Sequence, residues 1–375
     1  MIFLCTMLLY LLSLVCALPI AFGHPAFDGV IRPEGDGSFS AYMIPPYASN
    51  HASTIEVLPD GRLAAAWFSG KAEEASGCAI VFSRLNGTSW TTAATLSKRD
   101  GYSNQNPVLF YDKVQKRLHL FHSQAAASSG EAMAQIWHLQ SDDLGDTWTK
   151  PKAWLTVPGA FSRNRIIPSG DGGVMFPFYN ASNANSKFDN QNYAIFGFSG
   201  PDRNIGSTEG WNFMPLAGSQ YLVQPSTVHL SDSWLTLFRD RRSKNIYASS
   251  AKVLMSNDWS DPSPTQLPNN NAGIEANTLI SGDIVLVFNP TTHWRDPLAI
   301  AISKDNGKSW TCQRNLQHGV SEKNLEGKNK GPYEFSYPTV LQTSDGNIHV
   351  MYTYLRETIK YKRVTEEWIC NGQRV

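Results

Sequence analysis

A turn-forming aspartate that recurs along the whole chain is the feature that most constrains the fold. The six copies are Asp60, Asp112, Asp171, Asp232, Asp283 and Asp345, which lie 51 to 62 residues apart. Each lies between two short apolar runs, as Asp283 does before Ile284-Val-Leu-Val-Phe288. Six strand-rich units without a competing helical period predict an all-β fold, a six-bladed β-propeller of four-stranded antiparallel blades. A pair of β-sandwiches is the alternative.

A second repeated motif, Ser-x-Asp-x-Gly-x-Ser/Thr-Trp, follows the third strand of some units. Two copies are complete, Ser141 to Trp148 and Ser303 to Trp310, and the copy from Ser83 to Trp90 is degraded. The Asp accepts hydrogen bonds from its own turn, the Gly permits a positive φ, and the Trp buries its ring. The motif therefore predicts a tight turn that ends one strand and starts the next.

The last repeat stops shortly after Cys370 and lacks a fourth strand. Residues 38–44, Ser-Phe-Ser-Ala-Tyr-Met-Ile, precede the first repeat and could supply that strand. Such pairing would close the ring and remove an open sheet edge. The sequence thus predicts one propeller domain over residues 24–375.

Residues 2–22 are apolar and carry no charge, and small residues stand at 21 and 23. This pattern predicts a signal peptide over residues 1–23 and a secreted, extracellular or lumenal protein. The alternative is a membrane anchor formed by residues 2–22. Three cysteines then remain, Cys78, Cys312 and Cys370, so at most one disulfide forms. Either Cys312 pairs with Cys370, or all three are buried thiols.

The 32 basic and 32 acidic residues cancel, so no net field favours nucleic acid or an anionic membrane as a partner. We expect no membrane contact unless the N-terminal segment stays uncleaved. No set of side chains has metal-ligand spacing. We therefore expect no metal or cofactor. We also expect the protein to be a monomer.

Polar side chains collect where a propeller places its pocket, at the starts of the first strands and after the second strands. At first-strand starts stand His51, Asn106, Arg165, Gln224, Glu275 and Tyr337. After second strands stand Glu73, Glu74, Arg239, Arg295 and Arg356. Several guanidiniums on one side of a pocket can bind a carboxylate bidentately. This pattern predicts an acidic glycan as the ligand.

Three stretches resemble the sialidase (neuraminidase) superfamily, in its divergent BNR/Asp-box repeat-like branch. The run Asn289-Pro-Thr-Thr-His-Trp-Arg295 is similar to the stretch that carries a carboxylate-binding arginine in the fifth blade. The strand ending at Arg239 is similar to the fourth-blade arginine strand, and Tyr333-Glu-Phe-Ser-Tyr337 to the nucleophile strand. The resemblance implies that Tyr337 is a nucleophile and that Arg239, Arg295 and Arg356 hold the substrate carboxylate.

The chain departs from the sialidase pattern at other positions. His51 stands where the first blade of sialidases carries an Arg-Ile-Pro motif, and the similar Arg165-Ile-Ile-Pro lies in the third repeat. Glu73 or Glu74 replaces the acid/base aspartate. Gln224 occupies the position of the glutamate that deprotonates the tyrosine, which leaves Glu275 or Glu334 as candidate bases.

Three functions follow from these residues. The first is hydrolysis of a terminal sialic-acid-like sugar by a secreted exo-glycosidase. The second is β-elimination on a uronic-acid glycan, with His51 or Tyr337 abstracting the proton beside the carboxylate. The third is glycan binding without catalysis, which Gln224 favours because an amide cannot act as a base.

Overall fold

The computed structural model describes residues 26–181, 192–202, 204–319 and 333–372. Over these ranges the chain forms six antiparallel sheets of four or five strands, and the inner three strands of each sheet come from one repeat. The predicted six-bladed β-propeller is therefore confirmed. The predicted signal peptide and the alternative anchor lie outside the described residues. Within those ranges, no helix has the length and apolar character needed to cross a membrane.

Each blade is numbered by its repeat, and its strands run outward from the central channel. The first strands are Ser49–Val57, Tyr102–Asp112, Ala160–Ser162 with Ile167–Pro168, Leu222–His229, Glu275–Thr278 and Phe335–Gln342. The second strands are Leu63–Gly70, Arg117–Ala126, Val174–Asn180, Trp234–Asp240, Ile284–Phe288 and Ile348–Tyr354. The third strands are Ala79–Asn86, Gln135–Ser141, Tyr193–Ser199, Asn245–Ala251, Leu298–Ser303 and Thr358–Val364.

The outer strands of blades 1 to 5 are shorter or more irregular. They are Ser89–Trp90 with Ala94–Ser97, Lys152–Leu155, Trp211–Pro215, Ser263–Pro268 and Cys312–Gln317. The described residues also form two short helices, a 3-10 turn at Glu131–Met133 and an α-helix at Glu366–Cys370.

Apolar runs become strands here because each blade is covered on both faces by its neighbours. In the second strand of blade 5, Val285 and Val287 pack against blade 6. The alternate residues Ile284, Leu286 and Phe288 pack against blade 4. Successive side chains of a strand point to opposite faces, so one apolar run supplies two interfaces. Burial of each such side chain contributes roughly 1.5–3 kcal/mol.

The N-terminal segment closes the ring. Strand Phe39–Tyr42 pairs antiparallel with Thr358–Val364, the third strand of blade 6, and Arg32–Pro33 adds a further strand outside it. The predicted role of residues 38–44 is thus confirmed. The Cys312–Cys370 disulfide is also formed, and it joins the outer strand of blade 5 to the helix after blade 6, while Cys78 is a buried free thiol.

The two complete turn motifs have the same internal hydrogen bonds. In the later copy Asp305 accepts from the Ser303 hydroxyl at 2.8 Å and from the Ser309 amide at 2.8 Å, and the Gly307 amide donates to Ser303 Oγ. Asp143 and Thr147 repeat this pattern in blade 2. These turns follow the third strands and so lie on the face opposite the mouth that the second strands reach.

Candidate active site

Four first strands carry a β-bulge at the same place near the mouth. The strand pairing skips two residues in blades 1, 2, 4 and 6. The bulged residues are Ala52, Asn106, Gln224 and Tyr337, with φ of 55°, 48°, 53° and 51°. A bulge re-aims a side chain, and a positive φ is unfavourable for a residue other than glycine. The fold therefore presents the same position of four blades to the pocket.

Three of these bulged residues precede a proline, at Pro107, Pro225 and Pro338. Proline has no N–H to donate, so it fits a position that leaves the strand ladder. A polar residue followed by proline at the start of a first strand is the sequence signal that marks these bulges.

Positive φ angles also occur in the loops of the mouth, at Glu74, Asn271, Leu355 and Arg356. Such conformations are retained where the surrounding structure enforces them, and they concentrate at functional sites. Several residues predicted from the sequence are thus held in unfavourable backbone conformations at one end of the channel.

Tyr337 lies in the pocket with 7% of its surface exposed. Its phenol oxygen accepts a hydrogen bond of 2.5 Å from Arg239 Nη1, and Arg239 Nε donates to Asn271 Oδ1 at 2.8 Å. The guanidiniums of Arg163 and Arg295 lie 5.4 and 5.3 Å from the centre of the phenol ring. The oxygen and ring of Tyr337 are therefore surrounded by positive charge.

Arg295 and Arg356 share one carboxylate, that of Glu334. Its Oε1 atom accepts from Arg295 Nη1 at 2.5 Å, from Arg356 Nε at 2.8 Å and from the Ser336 hydroxyl at 2.9 Å. Arg356 Nη1 also donates to Glu73 Oε2 at 2.8 Å. Burial opposes ionisation of Glu334, but the two arginines outweigh it and lower its pKa. The three side chains are 25–27% exposed, so this cluster opens to solvent.

His51 lies below this cluster without any exposed surface. Its Nδ1 is 2.7 Å from the Thr353 hydroxyl, and its ring centre is 4.1 Å from that of Tyr337. Burial, and then the charges of the surrounding arginines, lower its pKa well below the usual value. His51 is therefore uncharged at neutral pH and adds no positive charge where the resemblance places an arginine.

The predicted residues Arg165 and Glu275 pair with each other inside the channel. Arg165 Nε lies 3.2 Å from Glu275 Oε1, and Glu275 Oε2 accepts from the Val340 amide at 3.2 Å. The structure does not bring Glu275 to the phenol oxygen of Tyr337. Arg163, which belongs to the same first-strand start as Arg165, is buried and donates to the carbonyls of Ser53 and Pro338. These charges connect blades 1, 3, 5 and 6 across the channel.

Gln224 is buried next to Tyr337. A Cβ added to Gly273 would lie 3.1 Å from Gln224 Oε1 and 3.3 Å from Tyr337 Cγ, so both side chains border that glycine. Neither amide atom of Gln224 has a hydrogen-bond partner among the described residues. A buried unpaired amide is uncommon and suits a position that a ligand or water contacts. Asn106 is also buried, and its carbonyl accepts from the Ser162 hydroxyl at 3.0 Å.

The mouth also carries an acidic group, Glu131, that the sequence reasoning missed. Glu131, in the loop after the second strand of blade 2, accepts from Tyr179 at 3.2 Å and pairs with Arg241. Burial, and then the negative charges of Glu73 and Glu131, raise the pKa of Glu74. Glu74 is exposed to solvent, and its raised pKa makes it a candidate proton donor of this mouth. The signal for Glu131 was its place in a loop that follows a second strand.

No group of three or more His, Cys, Asp or Glu side chains within the described ranges could hold a metal ion.

Comparison with known proteins places the chain in a family. The family profile of the BNR repeat-like domain matches residues 61–350, whereas no curated protein sequence matches significantly. The intramolecular trans-sialidase from Ruminococcus gnavus is 14% identical, with a TM-score of 0.67 over 88% of this chain and 98% of that one. NanB sialidase from Streptococcus pneumoniae is 11% identical, with a TM-score of 0.69 over 92% and 71%.

A protein of unknown function from Dyadobacter fermentans has the same fold. It is 12% identical, with a TM-score of 0.66 over 91% of this chain and 98% of that one. At these identities the structural matches show a shared propeller architecture, and the profile match spans most of the chain. The chain therefore belongs to the BNR repeat-like domain family.

Proposed function

We propose that this protein is a retaining exo-glycosidase that hydrolyses a terminal, carboxylate-bearing sugar of the sialic-acid type. The observation that carries the proposal is the hydrogen bond from Arg239 to the phenol oxygen of Tyr337, beside the partly open guanidiniums of Arg295 and Arg356. A tyrosine nucleophile is known from sialidases, and arginine suits a planar carboxylate. The Cys312–Cys370 disulfide supports action in an oxidising, extracellular or lumenal compartment.

In the proposed reaction Tyr337 attacks the anomeric carbon and forms a covalent glycosyl intermediate. An uncharged phenol does not repel the substrate carboxylate as a carboxylate nucleophile would. Among the described residues no carboxylate contacts the phenol oxygen, so the phenol proton passes to water as the bond to the anomeric carbon forms, and Arg239 stabilises the charge that develops on the oxygen. Water returns a proton to Tyr337 when the intermediate is hydrolysed. Glu74 gives its proton to the departing oxygen and then takes one from the attacking water.

The substitution Tyr337→Phe tests this role. It keeps the ring and removes the reacting oxygen, so turnover should fall by roughly 10³-fold or more while the substrate still binds. A fluorosugar that traps the intermediate should label the wild type and not the variant, as read by mass spectrometry.

Tyr352→Phe is the matched control, because Tyr352 is buried and donates one hydrogen bond, to Gln317 at 3.2 Å outside the mouth. Each variant should lose about 1 kcal/mol of stability, because each loses the one hydrogen bond of its phenol oxygen. Near-normal turnover by Tyr337→Phe would contradict the proposal. A product with ultraviolet absorbance from a new double bond would instead identify the elimination reaction.

Glycan binding without catalysis is the second candidate. Gln224 favours it, since an amide beside Tyr337 cannot accept the phenol proton. In that case calorimetry would detect binding of acidic glycans while no substrate of either class is converted.

A further inference from the structure

We propose that Glu334 is a built-in competitor for the carboxylate of the substrate. An acidic sugar reaches Arg295 and Arg356 only when the side chain of Glu334 leaves them. This inference rests on the proposed binding of an acidic sugar and adds a specificity-determining residue to that site.

The hydrogen bonds at Glu334 resemble those of a bound ligand. Three donors, from Arg295, Arg356 and Ser336, converge on Oε1. Within the described part of the chain, none of the hydrogen bonds found involves Oε2. The carboxylate thus occupies the side of both guanidiniums that a substrate carboxylate needs.

The main chain at Glu334 is fixed, while its side chain can move. The Phe335 amide donates to the Arg295 carbonyl at 2.9 Å, and the Leu355 amide donates to the Glu334 carbonyl at 2.8 Å. The side chain is 25% exposed, so it has a route to solvent. Departure of the carboxylate therefore needs rotation of one side chain and no rearrangement of the blades.

The charges of the mouth make this departure necessary for an anionic ligand. Glu334 and Glu73 balance the charges of Arg295 and Arg356, so these two guanidiniums already have counter-charges before a ligand binds. A second carboxylate placed beside an ionised Glu334 would meet a like charge at short range. A ligand that binds through these arginines must therefore displace Glu334 or bind while Glu334 is protonated.

A different role, in which Glu334 permanently holds the two arginines in position, makes the opposite prediction. Glu334→Gln keeps the shape and one acceptor oxygen but removes the charge. If Glu334 competes with the ligand, this variant binds an acidic sugar more tightly. If Glu334 positions the arginines, the variant binds it more weakly.

The test is calorimetric titration of wild type and Glu334→Gln with free sialic acid and with its methyl ester, at pH 7. We expect about tenfold tighter binding of the acid by the variant, the size of an interaction of one pKa unit, and unchanged binding of the ester. Equal or weaker binding of the acid by the variant would overturn the inference and leave the proposed function standing. Absence of acid binding by both proteins would overturn the proposed function, and the inference with it.

A measurement on the wild type covers the case in which the variant does not fold. Displacement frees Glu334 from the arginines that lower its pKa, so that pKa rises in the complex. His51 also faces Glu334, at 3.9 Å, but burial lowers the pKa of His51 and keeps it uncharged in this pH range. The complex then binds more protons than the free protein, and acid binding should strengthen as the pH falls from 7 toward 5. Titrations in buffers of different ionisation enthalpy should show proton uptake at pH 5. Proton release, or no exchange, would contradict displacement.

Discussion

Two charge clusters that contact blade 6 each place two basic side chains on one glutamate, and they differ in how deeply the basic side chains are buried. At the mouth, Arg295 and Arg356 share Glu334. At the ring closure, Lys360 and Lys362 share Glu34 at 3.2 and 3.3 Å. The arginine side chains are 26–27% exposed, whereas the lysine side chains are only 4–5% exposed.

The difference in exposure suggests that the arginine cluster at the mouth binds a ligand, whereas the lysine cluster at the ring closure stabilises the fold. Burial lowers the pKa of both lysines, although Glu34 attracts their charges, so the lysines depend on Glu34 to remain ionised. Glu34 lies between the two N-terminal strands, and the closing segment therefore supplies the counter-charge of the blade it completes. A buried pair is costly to break, whereas a partly solvated pair can exchange partners. We therefore expect changes at the closure to affect stability and changes at the mouth to affect binding.

The largest effect on stability is expected from Glu34→Gln. The substitution leaves two buried lysines without their shared carboxylate, and the free energy of unfolding should fall by about 3–5 kcal/mol. Because the lysine pKa values are lowered in the folded state, the unfolded chain binds more protons, and the stability of the variant should rise with pH toward 10. Urea unfolding at several pH values measures both effects.

The matched control for Glu34→Gln is Lys252→Gln, which breaks the exposed pair of Lys252 with Asp232 and should leave stability unchanged. Equal stability of Glu34→Gln and Lys252→Gln would contradict the structural role of the closure cluster.

The next effect is expected from removal of the disulfide. Replacement of Cys312 and Cys370 by serine opens a link between residues 58 positions apart and should cost about 2–4 kcal/mol. Ligand affinity should be unchanged, because the disulfide lies away from the mouth. Thermal unfolding measures the loss of stability, and calorimetric titration measures the ligand affinity. Cys78→Ala is the control, because it removes a buried thiol but no disulfide. A loss of ligand affinity in the double serine variant alone would contradict the separation of the disulfide from the mouth.

At the mouth, Arg295→Lys should weaken binding of an acidic sugar by about 2–4 kcal/mol. Lysine is a point charge and cannot replace the planar fork of a guanidinium. Calorimetric titration gives the affinity, and urea unfolding should show little change in stability. Arg242→Lys is the control, since Arg242 pairs with its neighbour Asp240. Equal affinity of wild type and Arg295→Lys would exclude Arg295 from carboxylate binding.

The smallest effect is a shift in pH dependence. A general acid must be protonated, so activity should be lost as the pH rises through the pKa of Glu74. Glu131→Gln removes one of the negative charges that raise this pKa, and the loss should then occur at lower pH. Profiles of kcat/KM against pH measure the shift, with Glu366→Gln as a distant control. If the loss of kcat/KM at high pH occurs at the same pH in Glu131→Gln as in the wild type, Glu74 is not the acid.

The repeat pattern predicted the fold because each blade is specified by residues close together in the sequence. Each turn aspartate and each apolar run acts within one blade, so six copies specify six blades. The closing strand was also predictable, because the missing fourth strand of blade 6 left only one apolar segment to supply it.

The pairing of side chains at the mouth was not predictable from the sequence. Glu334 contacts Arg295 and Arg356, and Arg165 contacts Glu275, across strands from different blades. These choices depend on how the bulges aim side chains toward the channel. The burial of His51 follows in the same way from the packing of Phe68 and Tyr337 around its ring.

The closing strand has a consequence for synthesis of the protein. The Thr358 hydroxyl bonds the Met43 carbonyl across 315 residues of chain. A ribosome makes Phe39–Tyr42 early, and its partner strand arrives only after the five other blades. During translation the early strand has an unpaired edge, and the lysines that will face Glu34 do not yet exist. Completion of the ring is therefore a late step of folding, and the waiting segment needs protection from other sheet edges until then.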